Sequence, residues 1–331
     1  MPTSAPRRPA RLLLACLLPL ATACDHDATP ELYPAQVTFS QAGLYPEGSQ
    51  YDTQNRRFLV SSQTAGRLGQ VDLDGHYTAF ADDASLVSTI GLNLDVPRNR
   101  LLAAVSDPGY NLARTSAATK GKLAALAGFD RNSGARLSYV SLSDLRPSYA
   151  GHFANDVAVD NLGNAYVTDS YAPLIYKVDA QGTATVFLEN PALGAPAGTF
   201  GLNGIVYHPD GYLLVAKSDE GALLKVPLNN PGGFSKVGTT GLNLSGADGL
   251  QLYDNQTLLV ACNAQGQVYR LGSADGFGSA SRTGSFATGA VYPTTLPLLG
   301  STSYVLYSHL DALQKMQSPP VSDFTLARVQ F

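Results

Sequence analysis

From Tyr33 onward, short runs of alternating apolar and polar residues are separated by clusters of Gly, Asn, Asp and Pro. That alternation is the signature of strands joined by tight turns. The clearest stretch is 153–187, with β-prone runs at 157–159, 165–168, 174–178 and 183–187. Turn-forming residues fill the gaps: Asn161-Leu162-Gly163-Asn164, then 169–173, then Ala180-Gln181-Gly182. Four strands in so short a span make one up-and-down sheet the size of a propeller blade.

The same pattern recurs along the chain. Related segments begin at Glu47, Ile90, Asn155, Asn203, Asp248 and Thr294, at spacings of 43, 65, 48, 45 and 46 residues. A repeat of this length predicts an all-β fold, a six-bladed β-propeller of four-stranded antiparallel blades. The long second interval carries its excess in residues 107–121 and 143–152. After Ser308 the sixth segment offers one more clear strand, 324–331, whereas 33–39 is a strand with no blade of its own. The expectation is that this N-terminal strand completes the last blade and closes the ring, removing edges that would otherwise pair with other chains.

Composition agrees with that fold. Charged residues are only 15%, against 32 Gly and 20 Pro, a balance that favours a turn-rich β protein. The net charge of −4 and the absence of any nucleic-acid-reading motif argue against a nucleic-acid partner. The N-terminus reads as a targeting segment: Arg7, Arg8 and Arg11 precede the apolar run 12–20, which is too short to span a bilayer as a mature helix. Ala21-Thr22-Ala23 then leads into Cys24. This resembles a bacterial lipoprotein signal, with 1–23 removed, Cys24 lipidated, 24–32 a tether and 33–331 the propeller domain. The plainer alternative is an ordinary secretory signal with Cys24 incidental. Either way an exported protein is expected; on the lipoprotein reading it stays in the cell envelope and meets the membrane only through its N-terminal lipid. With Cys16 in the leader, Cys262 stands alone, so neither a disulfide framework nor a cysteine-ligated zinc site is available.

In each blade the innermost strand lines the central channel. The residue entering that strand is Glu47, Ile90, Asn155, Asn203, Asp248 or Thr294. Four of these carry carboxylates or amides, and the symmetry aims them at one axis. Hard divalent cations take oxygen ligands of this mixed kind. Asn203-Gly204 and Asp248-Gly249 could each be a plain turn. Four such residues at one register outweigh that reading, because buried carboxylates are costly unless paired or metal-bound.

The motifs carry a resemblance. Pro46-Glu47-Gly48, Asn155-Asp156-Val157-Ala158-Val159-Asp160 with Gly163, Leu202-Asn203-Gly204-Ile205 followed by His208-Pro209-Asp210-Gly211, and Ala247-Asp248-Gly249-Leu250 occur in order. The chain thereby resembles the senescence-marker-protein/gluconolactonase/luciferin-regenerating-enzyme family. The resemblance implies one divalent cation held by Glu47, Asn203 and Asp248, with Asn155 binding the metal or its substrate water. It implies Ca²⁺ first, with Mg²⁺, Mn²⁺ or Zn²⁺ also compatible. It further implies a lactone or sugar-derived substrate opened by water, and Asp248 as the general base. The blade order brings the insertions 107–121, 143–152 and 191–200 to the rim of the channel mouth. Tyr110, Arg114 and His152 are the candidate substrate contacts there. His208 should lie on the opposite face, Asp169 and Asp219 should cap turns, and Asp156 reads as a turn residue. The alternative function is a non-catalytic propeller that binds a sugar, peptide or protein at the same mouth; in both cases a monomer is expected.

Overall fold

Alternation in the first strand already explains how the ring shuts. In Gln36–Ser40, Val37 and Phe39 are buried while Gln36, Thr38 and Ser40 are exposed, the pattern of a half-covered edge strand. The strand pairs antiparallel with Asp323–Arg328, setting Val37 opposite Leu326 and Phe39 opposite Phe324. The Phe39 ring also lies 6.1 Å from that of Tyr77 in blade one. The first strand thus joins the last blade and touches the first, as the sequence predicts.

The computed structural model describes residues 1–5 and 33–331. The leader, the Cys24 lipidation site and the tether therefore lie outside the described residues, apart from 1–5, which carry no regular secondary structure. Residues 34–331 form a single unit. Its strands make six four-stranded antiparallel sheets, a six-bladed propeller. In blades one to five the strands follow chain order from the axis outward. Blade three is Ala154–Val159, Ala165–Asp169, Leu174–Val178 and Ala184–Glu189. The other inner strands are Ser49–Asp52, Ser88–Asp95, Leu202–His208, Ala247–Asp254 and Leu298–Leu299.

Apolar layers between neighbouring blades hold the ring together. Leu102, Leu126, Phe153, Val167 and Tyr176 join blades two and three; Leu214, Leu250, Val260 and Phe277 join four and five. Each sheet is therefore covered on both faces, and burial of these side chains supplies the main driving force.

The sixth blade departs from expectation at its inner edge. Its strand was expected from about Thr294 but is regular only at Leu298–Leu299. Pro293 and Pro297 flank the gap, and proline cannot donate to a ladder. The short helix Leu310–Gln314, which sequence reading did not anticipate, sits in the connection that follows Thr302–Tyr307.

Candidate functional site

Four inner strands bulge at the same place. The pairing register shifts between Thr89 and Leu92, Ala154 and Val157, Leu202 and Ile205, and Ala247 and Leu250. Bulges re-aim the side chains they carry, and Ile90, Asn155, Asn203 and Asp248 fall within them. The following residue touches the next blade. A Cβ on Gly204 would lie 2.2 Å from the Asp248 carbonyl oxygen, and one on Gly249 would lie 2.3 Å from that of Thr294. Glycine at these positions is a requirement of blade packing.

Each channel side chain is oriented by a partner one strand away. Asn155 Nδ2 donates to Ser170 Oγ at 2.9 Å, and Ser170 Oγ donates in turn to the Leu202 carbonyl at 2.5 Å. Asn203 Nδ2 donates to Ser218 Oγ at 3.1 Å, and Ser218 Oγ donates to the Ala247 carbonyl. A hydroxyl has one hydrogen to give, so each serine must accept from its asparagine. This turns both amide nitrogens toward the serines. The two amide oxygens, Asn155 Oδ1 and Asn203 Oδ1, are left buried without a hydrogen-bond partner, as is Glu47 Oε2. Asp248 Oδ2 accepts from Asn263 Nδ2 at 3.0 Å. The Glu47 backbone is locked in turn: its N–H donates to Ser61 Oγ, and its carbonyl accepts from the Thr294 and Thr295 hydroxyls.

Electrostatics point the same way. Burial, then the charges of Asp248 and Asp156, hold the Glu47 carboxyl well above the ordinary carboxylate range. Burial pushes Asp248 up to about 7 against hydrogen bonds from Asn263 and Asn203. Among the described residues, no basic side chain lines the cavity to offset them. Orphaned buried oxygens and unpaired carboxylates are costly, and a divalent cation would relieve both costs. The donors are all oxygen, with no His or Cys among the described residues of the lining, which suits Ca²⁺ or Mg²⁺ better than softer metals.

Glu47, Asn155, Asn203 and Asp248 line one cavity of about 390 Å³. Tyr110, from the 107–121 insertion, and Phe200, from the 191–200 connection, line it as well. So do Tyr292, Leu310 and Gln314, the last two from the unanticipated helix.

Two expected substrate contacts face elsewhere. Arg114 Nη1 donates to the carbonyls of Asp83 and Leu86, and Nη2 to Asp82 Oδ1 at 2.6 Å. It clamps its own loop onto the connection between blades one and two and does not line the cavity. His152 is buried, with Nδ1 2.8 Å from Asp169 Oδ2 and Nε2 3.0 Å from the Arg146 carbonyl. Burial lowers its pKa, but the hydrogen bond and charge of Asp169 more than compensate, so it is raised. Both residues are scaffold, and the 143–152 connection adds nothing to the cavity lining. Sequence placed these loops on the rim but could not show which way their side chains turn.

Asp156 is the converse case. Expected to be a turn residue, it lies among the channel carboxylates, pushed up to about 7 by burial against hydrogen bonds from the Val157 and Ile205 N–H groups. It lines a second cavity of about 280 Å³ that the ligand quartet does not share. Asp169 caps its turn by accepting from the Phe153, Tyr171 and Ala172 N–H groups, and Asp219 pairs with buried Lys217. His208 is buried and bonds the Asn255 carbonyl, outside the candidate cavity. Cys262 is buried at a strand end and pushed up to about 12 by desolvation. Asp72, Asp74 and His76 also cluster in blade one; Asp72 Oδ1 there accepts from the N–H groups of Asp74 and His76, an ordinary turn.

No sequence-family model matches the chain, and no curated protein matches it in sequence. Solved structures do match. Mala s 1, the major allergen of Malassezia sympodialis, shares 20% identity over 90% of this chain and 96% of its own, with a TM-score of 0.72. Luciferin-regenerating enzyme shares 14% over 89% and 96%, at 0.61. Regucalcin from Agrobacterium tumefaciens, a calcium-binding protein, shares 18% over 90% and 95%, also at 0.61. In fold, this chain is a six-bladed propeller of the luciferin-regenerating-enzyme and regucalcin kind.

Proposed function

We propose that this protein is a divalent-metal-dependent hydrolase that opens a lactone or related ester at the mouth of its central channel. The carrying observation is the set of three buried, unpartnered oxygens on Glu47, Asn155 and Asn203, gathered with Asp248 in one cavity. Ca²⁺ is the first candidate, since every donor is oxygen and the similar regucalcin is a calcium-binding protein. A cation held there would polarise the ester carbonyl and offset the charge developing on its oxygen. Asp248, steadied by Asn263, takes the proton of the attacking water. Asn155 and Asn203 would help hold the cation through their amide oxygens, and the aromatic rim restricts access of bulk water. The substrate is a small lactone or related ester, and the enzyme acts as a monomer. It is exported and tethered in the cell envelope through lipid on Cys24.

A binding-only propeller is the second reading. It is favoured by the absence of His, Lys or Cys among the described residues of the cavity lining, which leaves the carboxylates of two candidate ligands, Glu47 and Asp248, to serve as base. Metal analysis of purified protein, followed by a lactone panel with and without chelator, separates the two. Chelator-sensitive hydrolysis that Asp248→Ala abolishes supports the enzyme. Bound metal without turnover supports the binder, and absence of bound metal at saturating Ca²⁺ removes the site from both.

A further inference from the structure

Three rings line the cavity together with the ligand quartet. Phe153, Tyr171 and Phe200 pack mutually, with centroids 5.3 Å apart for Phe153 and Tyr171, 5.2 Å for Phe153 and Phe200, and 5.4 Å for Tyr171 and Phe200. Phe153 is buried at the base, two residues before Asn155, whereas Tyr171 and Phe200 remain 38% and 36% exposed. All three line the cavity, with Ile90 and Leu310 adding aliphatic surface. An exposed aromatic face beside a polar centre is a place to bury apolar ligand surface.

Hydrogen-bonding capacity away from the quartet is small. Asn263 has given its amide nitrogen to Asp248, and its oxygen accepts from the Ala264 N–H. Gln314 engages Tyr292. What remains is Gln63, the second N–H of Asn263, the free amide sites of Gln314 and the tyrosine hydroxyls, too few to match every hydroxyl of a polyhydroxylated ring, each of which costs free energy if desolvated without a partner. Charge narrows the choice further. Among the described residues the lining holds two carboxylates and no Lys or Arg, so a divalent cation would bring the site close to neutrality and leave nothing to pair with a substrate carboxylate.

We infer that the substrate of this site, read as the hydrolase proposed above, is an uncharged lactone or ester bearing an alkyl or aryl arm. The arm lies against Phe153, Tyr171 and Phe200 while the ester group sits over the quartet. A polyhydroxylated lactone is a poor fit, and Phe200 and Tyr171 set the specificity.

The test measures binding apart from turnover. Calorimetry on the calcium-loaded protein uses non-hydrolysable δ-lactams with alkyl tails of increasing length, and a polyhydroxylated δ-lactam for comparison. Affinity should rise roughly two- to fourfold per added methylene until the wall is covered. Phe200→Ala, and separately Tyr171→Ala, should flatten that slope; melting curves verify that each variant is folded. A flat slope, tighter binding of the polyhydroxylated lactam, or an unchanged slope in both folded variants overturns the inference. The matching lactones are then assayed for hydrolysis. Chain-length-dependent binding without hydrolysis defeats the hydrolase and upholds the ligand class; hydrolysis indifferent to the tail upholds the hydrolase and defeats the ligand class.

Discussion

Asn155 Nδ2 lies 2.9 Å from Ser170 Oγ, and this contact decides which atom of Asn155 the channel sees. With the serine hydrogen committed to the Leu202 carbonyl, the amide oxygen has to face the cavity. Ser170→Ala removes the acceptor and frees the amide to turn its nitrogen inward. Calcium affinity measured by calorimetry should fall about tenfold, in the range typical of residues that orient metal ligands, with an unchanged circular dichroism spectrum. Adding Ser218→Ala should weaken it further. Wild-type affinity in the double variant would show that the serines do not set ligand orientation.

Buried carboxylates make the metal-free protein sensitive to pH. Asp248 and Asp156 sit near 7 against an ordinary 3.8. Between those values the folded state binds more protons than the unfolded state, so stability falls as pH rises. His152, raised in the fold, adds a loss of the same sign, since its contribution is complete below its unfolded pKa and disappears above its folded one. Denaturant melts of metal-free protein should therefore show stability declining from about pH 5 to about pH 8. Saturating calcium should reverse much of that decline, and Asp248→Asn should reduce it without metal. A rise in metal-free stability over this window would mean that the carboxyls are not buried together.

His152 should matter to the fold and not to the metal. Its two ring nitrogens hold Asp169 and the Arg146 carbonyl, and the Tyr176 hydroxyl donates to Asp169 Oδ2 and lies 3.0 Å from His152 Nδ1. His152→Ala strands these buried groups and should cost about 2–4 kcal/mol, read from chemical denaturation. Calcium affinity should stay within about twofold of wild type, since a change that small is under 0.5 kcal/mol. A variant of wild-type stability with impaired ligand binding would return His152 to the site.

Ring closure is tested by removing residues 33–40. The truncation deletes five strand pairings and the buried Val37 and Phe39. Loss of those two side chains from the core alone is worth about 3–6 kcal/mol. The truncated protein should melt well below the full-length protein and expose the edge of Asp323–Arg328 to self-association. An unchanged melting temperature would rule out closure by the first strand.

Most of the blade pattern was legible because it is local. The β-prone runs at 157–159 and 165–168 with turn residues at 161–164 specify a hairpin without reference to the rest of the chain, and repetition carried that register around the ring to Glu47, Asn155, Asn203 and Asp248. Asp156 was misread for a non-local reason. Gly204 and Gly249 occupy its position in blades four and five, which suggested that no side chain belongs there. The room for Asp156 comes from blade two, where a Cβ on Gly91 would lie 2.4 Å from Asp156 Oδ1. Arg114 and His152 failed in the same way, since the partners that turn them from the cavity lie at Asp82, Leu86 and Asp169.

The sequence by itself determined the number of blades, the order of their strands, the closing role of the N-terminal strand and the four residues placed at the channel entrance. Those follow from short-range periodicity and turn chemistry, repeated at nearly constant spacing. Tertiary structure alone decided which rim loops reach the cavity, that the helix Leu310–Gln314 joins them, and which atom each asparagine presents. Side-chain direction depends on hydrogen bonds and close contacts between strands and blades far apart in the chain: Ser170 with Leu202, Ser218 with Ala247, Gly91 with Asp156. Spacing along one strand carries no record of what the neighbouring blade offers.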